Sequence, residues 1–334
     1  MRICVVGAGA IGGFMAVKLA AAGAEVSVMV RGANLAAVRA NGLKLIADHG
    51  VETVQRLPAS DRLADLGAQD AIILGMKAHQ VTAIVDDVAT AMGPDTTVVT
   101  TQNGIPWWYF HKHGGPYDGR QLESVDPGGV IASRIPADRV VGCIVYPACE
   151  ITAPGVIRQI EGNRFPLGEP DGADTPRVRA LAELFRKAGF KTPVLSDIRS
   201  EIWLKLWGNL SFNPISALTH ATLVDICRHP PTRALAAAMM GEAQAVGEKL
   251  GVRFKVSLEK RIAGAEAVGE HKTSMLQDIE SGRAIELQAL VGSVLELGRI
   301  TEVPTPAIEN VHALASLLAE TLQRRKGRLR VEPA

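Results

Sequence analysis

The sequence predicts an α/β protein in two parts, a parallel-sheet domain over residues 1–196 followed by an all-α domain over residues 197–334. Three observations predict it. A chain of 334 residues is long enough for two domains at roughly 150 residues each. Short, continuous apolar runs recur through the first half, as expected of strands buried on both faces of a parallel sheet. Beyond Asp197 strand signals largely cease, and helical patterns run to Arg325.

Composition narrows the class. At 47% hydrophobic and 21% charged residues the chain sits near the averages for a soluble globular protein. Its 36 basic and 35 acidic side chains leave a net charge of +1, without the electrostatic footprint of a nucleic-acid binder. No apolar run reaches the roughly 18 residues of a membrane span. The opening Met1-Arg2-Ile3-Cys4-Val5-Val6 is too short in its apolar part for a signal peptide. Cys4, Cys143, Cys149 and Cys227 include no CxxC pair and read as reduced thiols of a cytoplasmic protein. The expected partner is therefore a small molecule, neither nucleic acid nor membrane.

The first element is a strand, Ile3 to Val6, running into Gly7-Ala8-Gly9-Ala10-Ile11-Gly12. A helical stretch from Phe14 to Ala22 ends at Gly23, and Glu25 to Val30 reads as a second strand. Strand, GxGxxG, helix and strand within about 30 residues form the context of a dinucleotide-binding loop. Gly7 permits the tight turn, Gly9 the approach of a pyrophosphate, and Gly12 close packing of helix on strand, while the helix N-terminus offers N–H groups to phosphate. An NAD site would place an acid at the end of the second strand, where this chain reads Val30-Arg31-Gly32. A guanidinium there suits the 2′-phosphate of NADP.

Asp70 to Gly75 is the next strand, and Lys77 just beyond it is a candidate for a cofactor phosphate or ribose. Thr97 to Thr101 follows and ends in Gln102-Asn103-Gly104, where Asn103 is either the left-handed residue of a turn or a bridge between nicotinamide ribose and substrate. From Ile105 to Gly129 an aromatic stretch, Pro106-Trp107-Trp108-Tyr109-Phe110, gives way to a polar, turn-rich loop, expected to be a flap or an interface arm. His111 and His113 lack the acids or thiols that would complete a metal site, and no metal is expected. Val140–Tyr146 and Gly155–Ile160 read as later strands of a mixed sheet, Thr175–Ala188 as an amphipathic helix, and Lys191–Leu195 as a short final strand.

Glu201-Ile202-Trp203-Leu204-Lys205-Leu206-Trp207-Gly208-Asn209-Leu210-Ser211-Phe212-Asn213-Pro214 carries the most chemistry. Residues four apart stack on a helix, so Lys205, Asn209 and Asn213 form one polar ladder on a helix that is otherwise apolar and therefore buried. Such groups are costly to bury without partners. An oxo-acid site supplies them: an amine to protonate a carbonyl oxygen, and amides to hold a carboxylate or hydroxyl. Desolvation would bring the lysine toward its working pH, and Pro214 is expected to kink the helix beyond the ladder. Downstream, Ser274-x-x-Gln277 reads either as a capping box or as a hydroxyl aimed at substrate, and Glu286 either as a solvent-facing helix position or as a site residue.

With these residues assembled, the chain resembles the ketopantoate reductase (2-dehydropantoate 2-reductase) family over nearly its whole length. The resemblance rests on Gly7-Ala8-Gly9-Ala10-Ile11-Gly12 with Arg31, Met76-Lys77-Ala78, Gln102-Asn103-Gly104, Lys205-x3-Asn209-x3-Asn213-Pro214, and Ser274-Met275-Leu276-Gln277-Asp278 with Glu286. It implies a Rossmann-type NADP-binding domain, an all-helical substrate domain, and a site in the cleft between them. It also implies Lys205 as general acid, and Asn209, Asn213 and Ser274 on substrate. Asn103 would touch substrate and ribose, Glu286 cofactor and substrate, and Arg31 and Lys77 would sit near the 2′-phosphate. The family often carries another asparagine about ten residues past the second of the ladder; this chain reads His220-Ala221-Thr222-Leu223 there. The expected reaction is NADPH-dependent reduction of 2-dehydropantoate to (R)-pantoate in pantothenate biosynthesis. The alternatives are reduction of another 2-oxo or 3-hydroxy acid, and a non-catalytic NADP-binding sensor. A homodimer contact could lie on the aromatic insertion or the helical tail.

Overall fold

The computed structural model describes residues 1–47 and 50–332. The chain divides into two compact units, Met1–Gln121 with Asp126–Ile198, and Leu122–Val125 with Arg199–Ala334. The first contains, in order, β1 (Arg2–Val6), α1 (Ala10–Ala21), β2 (Glu25–Met29), α2 (Gly32–Asn41), β3 (Leu43–Ile46), β4 (Glu52–Gln55), β5 (Ala59–Ser60), β6 (Ala71–Leu74), α3 (Val85–Ala91), β7 (Thr97–Thr100), α4 (Val130–Arg134), β8 (Val140–Cys143), β9 (Ala148–Ala153), β10 (Val156–Glu161), β11 (Leu167–Gly168) and α5 (Pro176–Lys187).

Its main sheet runs β11-β8-β7-β6-β1-β2-β5. Every pairing is parallel except β11 on β8. The central strands β6, β7 and β8 are buried along their whole length and β1 from Ile3 onward, which is why they read as unbroken apolar runs rather than alternating ones. The strand order reverses beside β1, with β2 on one side and β6 on the other, so the ligand-binding position of such sheets lies at the C-terminal ends of these strands.

The later strands do not all extend this sheet. β9 and β10 pair with β3 and β4 in a second, four-stranded sheet of order β4-β3-β10-β9. The turn between β9 and β10 has Gly155 at φ +74°, as its Pro-Gly signal predicts. This sheet closes over α1: a Cβ on Gly13 would lie 2.5 Å from Ile157 Cδ1. Helix α1 is therefore buried almost all round, and its apolar composition follows from being covered on both sides. The expected strand at 191–195 is reduced to single bridges from Lys191 to Arg164 and from Val194 to Leu167. Pro193 between them has no N–H to give a ladder.

The aromatic stretch is not a flap. Trp107, Trp108, Tyr109 and Phe110 are all buried, and Trp108 Nε1 donates to Thr100 Oγ1 at 3.1 Å. The Trp108 ring fills the space over Gly142, where a Cβ would come within 2.9 Å of it. His111 is paired with Asp138 at 3.2 Å, and Lys112 on the same carboxylate at 2.8 Å holds its pKa below the usual range. Among the described residues no His, Cys, Asp and Glu group could hold a metal.

In the second unit every regular element among the described residues is helical: α6 (Ile198–Thr219), α7 (Leu223–Arg228), α8 (Pro230–Lys249), α9 (Leu258–Ala267), α10 (Ser274–Glu280), a π-turn at Gln288–Gly292, α11 (Ser293–Thr301) and α12 (Pro306–Arg325). Trp203 and Trp207 of α6 are completely buried; Trp207 Nε1 donates to the Met240 carbonyl at 2.6 Å and its ring lies 4.7 Å from that of Phe254. The segment Leu122–Val125 belongs here because Glu123 and Ser124 give their N–H groups to the Glu296 carboxylate at 2.9 and 2.8 Å. Among the described residues no helix is long and apolar enough to cross a membrane.

Candidate active site

The glycine loop lies at the end of β1. Gly7 has φ +89°, a conformation that favours glycine, and its N–H reaches the Met29 carbonyl at 2.9 Å. A Cβ on Gly12 would collide with the Gly7 carbonyl oxygen and lie 3.2 Å from Val5, so this glycine brings α1 down onto β1. A Cβ on Gly9 would meet nothing within 4 Å, so space is open where a pyrophosphate must approach the backbone. Gly9 is the N-cap of α1 and no side chain caps this helix. Its first N–H groups are suited to phosphate oxygens. The loop after β6 packs on the glycine loop: Gly75 N–H donates to the Val6 carbonyl at 2.8 Å, and a Cβ on Gly75 would lie 2.9 Å from Gly12 Cα. The loop residues Ala8, Ala10 and Ile11 fall between these contacts, Ala8 buried and the other two half-buried.

Arg31 stands at the N-cap of α2, directly past the end of β2, exposed and 3.9 Å from Asp87. Lys77, half-buried, precedes the short turn Ala78–Gln80 at the end of β6. Asn103 follows β7. The left-handed position of its turn, φ +89°, belongs to Gly104, so Asn103 is not there to supply that conformation. Gln102, not anticipated from sequence, donates from Nε2 to the carbonyls of Leu74 and Met76 at 2.7 and 3.0 Å and ties the loop after β7 to the loop after β6. An amide in a Gln-Asn-Gly turn carries no pattern that distinguishes a tether from a ligand contact.

In the helical unit, α6 carries Lys205, Asn209 and Asn213 on successive turns. Lys205 and Asn209 are half-buried and Asn213 is 5% exposed, so the ladder emerges from the core toward its N-terminal end. The helix continues through Pro214 to Thr219. Asn213 Nδ2 points at Ser274 Oγ, 3.5 Å away, which joins two segments separated by 61 residues.

Ser274 is not the cap of its helix. That place belongs to Thr273, whose side chain accepts from Leu276 N–H at 3.3 Å. The serine is the first residue inside α10, exposed, with its hydroxyl not used as the cap. The capping signal fits either neighbour, because Thr273 and Ser274 are both cap formers; only the backbone decides between them. Lys272, just before them, is held by Glu280 at 2.7 and 3.0 Å, and Asp278 holds Arg283 at 3.0 Å, which fixes both ends of this short helix. Glu286 lies just before the helix that opens with the π-turn, half-buried, with its carbonyl accepting from Leu290 N–H at 3.3 Å. It is not a solvent-facing helix residue. The π-turn beside it is a distortion often found at functional sites.

Comparison with known proteins identifies the family of the chain. The family description "Ketopantoate reductase PanE/ApbA" matches residues 3–112, and "Ketopantoate reductase PanE/ApbA C terminal" matches residues 197–319. The chain is 57% identical over 320 residues to a 2-dehydropantoate 2-reductase of Mesorhizobium japonicum, covering 96% of this chain and 98% of the other. Its fold superposes with a TM-score of 0.92 on a crystal structure described as a putative ketopantoate reductase from Ralstonia solanacearum, at 42% identity and over 96% and 98% of the two chains. A 2-dehydropantoate 2-reductase from Methylococcus capsulatus superposes at 0.82 with 28% identity, over 98% and 99% of the chains.

Proposed function

Because the chain belongs to the ketopantoate reductase family, we propose that it reduces 2-dehydropantoate to (R)-pantoate with NADPH, a step of pantothenate biosynthesis. The observation that carries this reading is the ladder Lys205, Asn209 and Asn213 with Ser274 at its end, a set of polar groups on a helix whose other faces are core.

The cofactor fits the first unit, where open space above Gly9, the uncapped start of α1 and the exposed Arg31 guanidinium match a pyrophosphate and a 2′-phosphate. Residues 1–196 would hold it through Gly7–Gly12, Arg31, Lys77 and Asn103, with a further contact from Glu286. When bound, NADPH supplies the hydride that the 2-keto carbon accepts.

Residues 197–334 would supply the rest. Lys205 Nζ donates the proton that the carbonyl oxygen takes up, so one hydride and one proton add across the C=O bond. A charged donor aimed at an oxygen that becomes an alkoxide stabilises the transition state more than the ground state. Asn209, Asn213 and Ser274 hold the carboxylate and the distal hydroxyl, and Asn103 spans substrate and ribose. Cytoplasmic location and a homodimer belong to the same reading; Leu314 and Leu317, exposed on α12, offer an apolar contact for the latter.

The direct test is a panel of branched 2-oxo and 3-hydroxy acids with NADPH or NADP, followed at the nicotinamide absorbance. 2-Dehydropantoate should show the highest kcat/KM; tight NADPH binding with no turnover of any acid would leave a sensor instead. The exchange of capping roles gives a second expectation. Thr273→Ala should lower stability by about 1 kcal/mol, read as a fall in Tm. Ser274→Ala should leave Tm in place and raise the KM for the oxo acid. A Tm loss in the serine variant alone would return Ser274 to a structural role.

A further inference from the structure

We propose that Arg261 binds the carboxylate of the oxo acid, through a guanidinium that α9 lays against α6 at Gly208. This rests on the reductase reading above and adds a cation to the neutral groups that reading places on the carboxylate and hydroxyl.

The contact is defined by a missing side chain. A Cβ built on Gly208 would run into Arg261, first Nη2, then Cζ at 2.9 Å and Nε at 3.4 Å. All three nearest atoms belong to the guanidinium, so its flat head, not its aliphatic stem, occupies the slot. Glycine is not needed there for conformation, since Gly208 lies inside a continuous helix and is not among the positive-φ glycines. Within a helix glycine is a poorer choice than alanine. What the position gains is room for a planar cation.

The slot adjoins the ladder. Gly208 follows Lys205 by three residues, and residues three apart are neighbours on a helix surface. The guanidinium therefore lies beside the turn that presents the proton donor. Its own helix is held in place: Ile262 and Ala265 are buried, Ser257 caps the first turn, and Arg261 itself is half-buried.

Charge requires such a group. Asn103, Asn209, Asn213 and Ser274 are neutral, and Lys205 is committed to the carbonyl oxygen. A 2-oxo acid enters with a full negative charge that loses water on binding, and neutral amides alone do not replace that solvation. Arginine meets a carboxylate with two parallel N–H bonds and keeps its charge at every working pH. A permanent cation there also separates two tasks, with binding on Arg261 and proton transfer on Lys205.

The test uses the whole chain and steady-state kinetics on 2-dehydropantoate and its uncharged lactone, the latter as substrate or, failing turnover, as competitive inhibitor. Arg261→Ala should raise the KM for the acid on the order of 10- to 100-fold, as expected for a lost charged hydrogen bond. The lactone constant and the KM for NADPH should stay near wild type. Arg261→Lys should recover only part, because an ammonium cannot make the paired bonds. Gly208→Ala removes no charge and favours the helix, yet should displace the guanidinium and reproduce the rise in KM for the acid alone. Should the alanine variant fail to fold, the lysine and Gly208 variants decide. An unchanged acid KM, or equal losses on acid and lactone, overturns the proposal and leaves Arg261 as a packing residue. A wild-type protein that reduces no oxo acid overturns the reductase reading and this subsite with it; turnover of the acid with unaltered variants overturns the subsite alone.

Discussion

Lys205→Ala is expected to lower kcat for 2-dehydropantoate about 10³-fold, the middle of the range for loss of a positioned general acid. The fold should survive, because the stem removed is half-buried on a helix held by completely buried Trp203 and Trp207. NADPH affinity, measured by fluorescence titration, should stay near wild type, since the groups assigned to its phosphates all lie in the first unit, at the ends of β1, β2 and β6. The pH profile separates this from misplacement of substrate. With lysine in place, kcat/KM should fall at high pH as the donor is lost; in the alanine variant that limb should vanish. Turnover within tenfold of wild type, or an unchanged alkaline limb, would remove Lys205 from the reaction.

Arg31→Ala should raise the KM for NADPH roughly 100-fold and leave that for NADH nearly unchanged, as expected for a guanidinium that grips a phosphate with charge-assisted bonds. The end of β2 offers no carboxylate for a ribose 2′-hydroxyl, reading Met29-Val30-Arg31. The arginine is exposed, and its ion pair to Asp87 is long at 3.9 Å. Such a surface pair is weak, so a phosphate can displace it at little cost. The difference between the two cofactors should shrink with added salt, because the contact sits in solvent. Equal effects of the substitution on NADPH and NADH would sink the assignment.

Much of this was legible before any coordinates, and the reason is local. Glycines at 7, 9 and 12 follow a strand and open a helix, and each meets the steric demand read from its spacing. The ladder of Lys205, Asn209 and Asn213 depends only on helical periodicity, which a single segment contains in full. Thr175 caps α5 by accepting from Val178 N–H at 3.3 Å, again a contact within one turn.

The illegible parts share the opposite property. Strands β3, β4 and β9 are short and partly exposed, with no run long enough to signal them; the local pairs β3–β4 and β9–β10 form one sheet over α1 because β3 pairs with β10 across more than a hundred residues. The aromatic insertion looked like a surface arm because its neighbours are polar; its rings instead fill a core whose other side is Gly142. Thr273 and Ser274 could not be told apart, since both make good caps and the choice is made by the chain's direction on entering α10. Arg261 carries no motif at all: its place beside the ladder comes from a glycine 53 residues earlier on another helix.

The sequence by itself determined the parallel sheet, the glycine loop with Arg31 beyond the second strand, and the spacing of Lys205 and its two asparagines. Those features are set by periodicity and by steric needs within one or two turns. Tertiary structure alone decided the second sheet, the fate of the aromatic stretch, the choice of Thr273 over Ser274 as cap and the cation beside Gly208. Each of these depends on which surfaces meet, and contact between distant segments is fixed by packing rather than by any local pattern of residues.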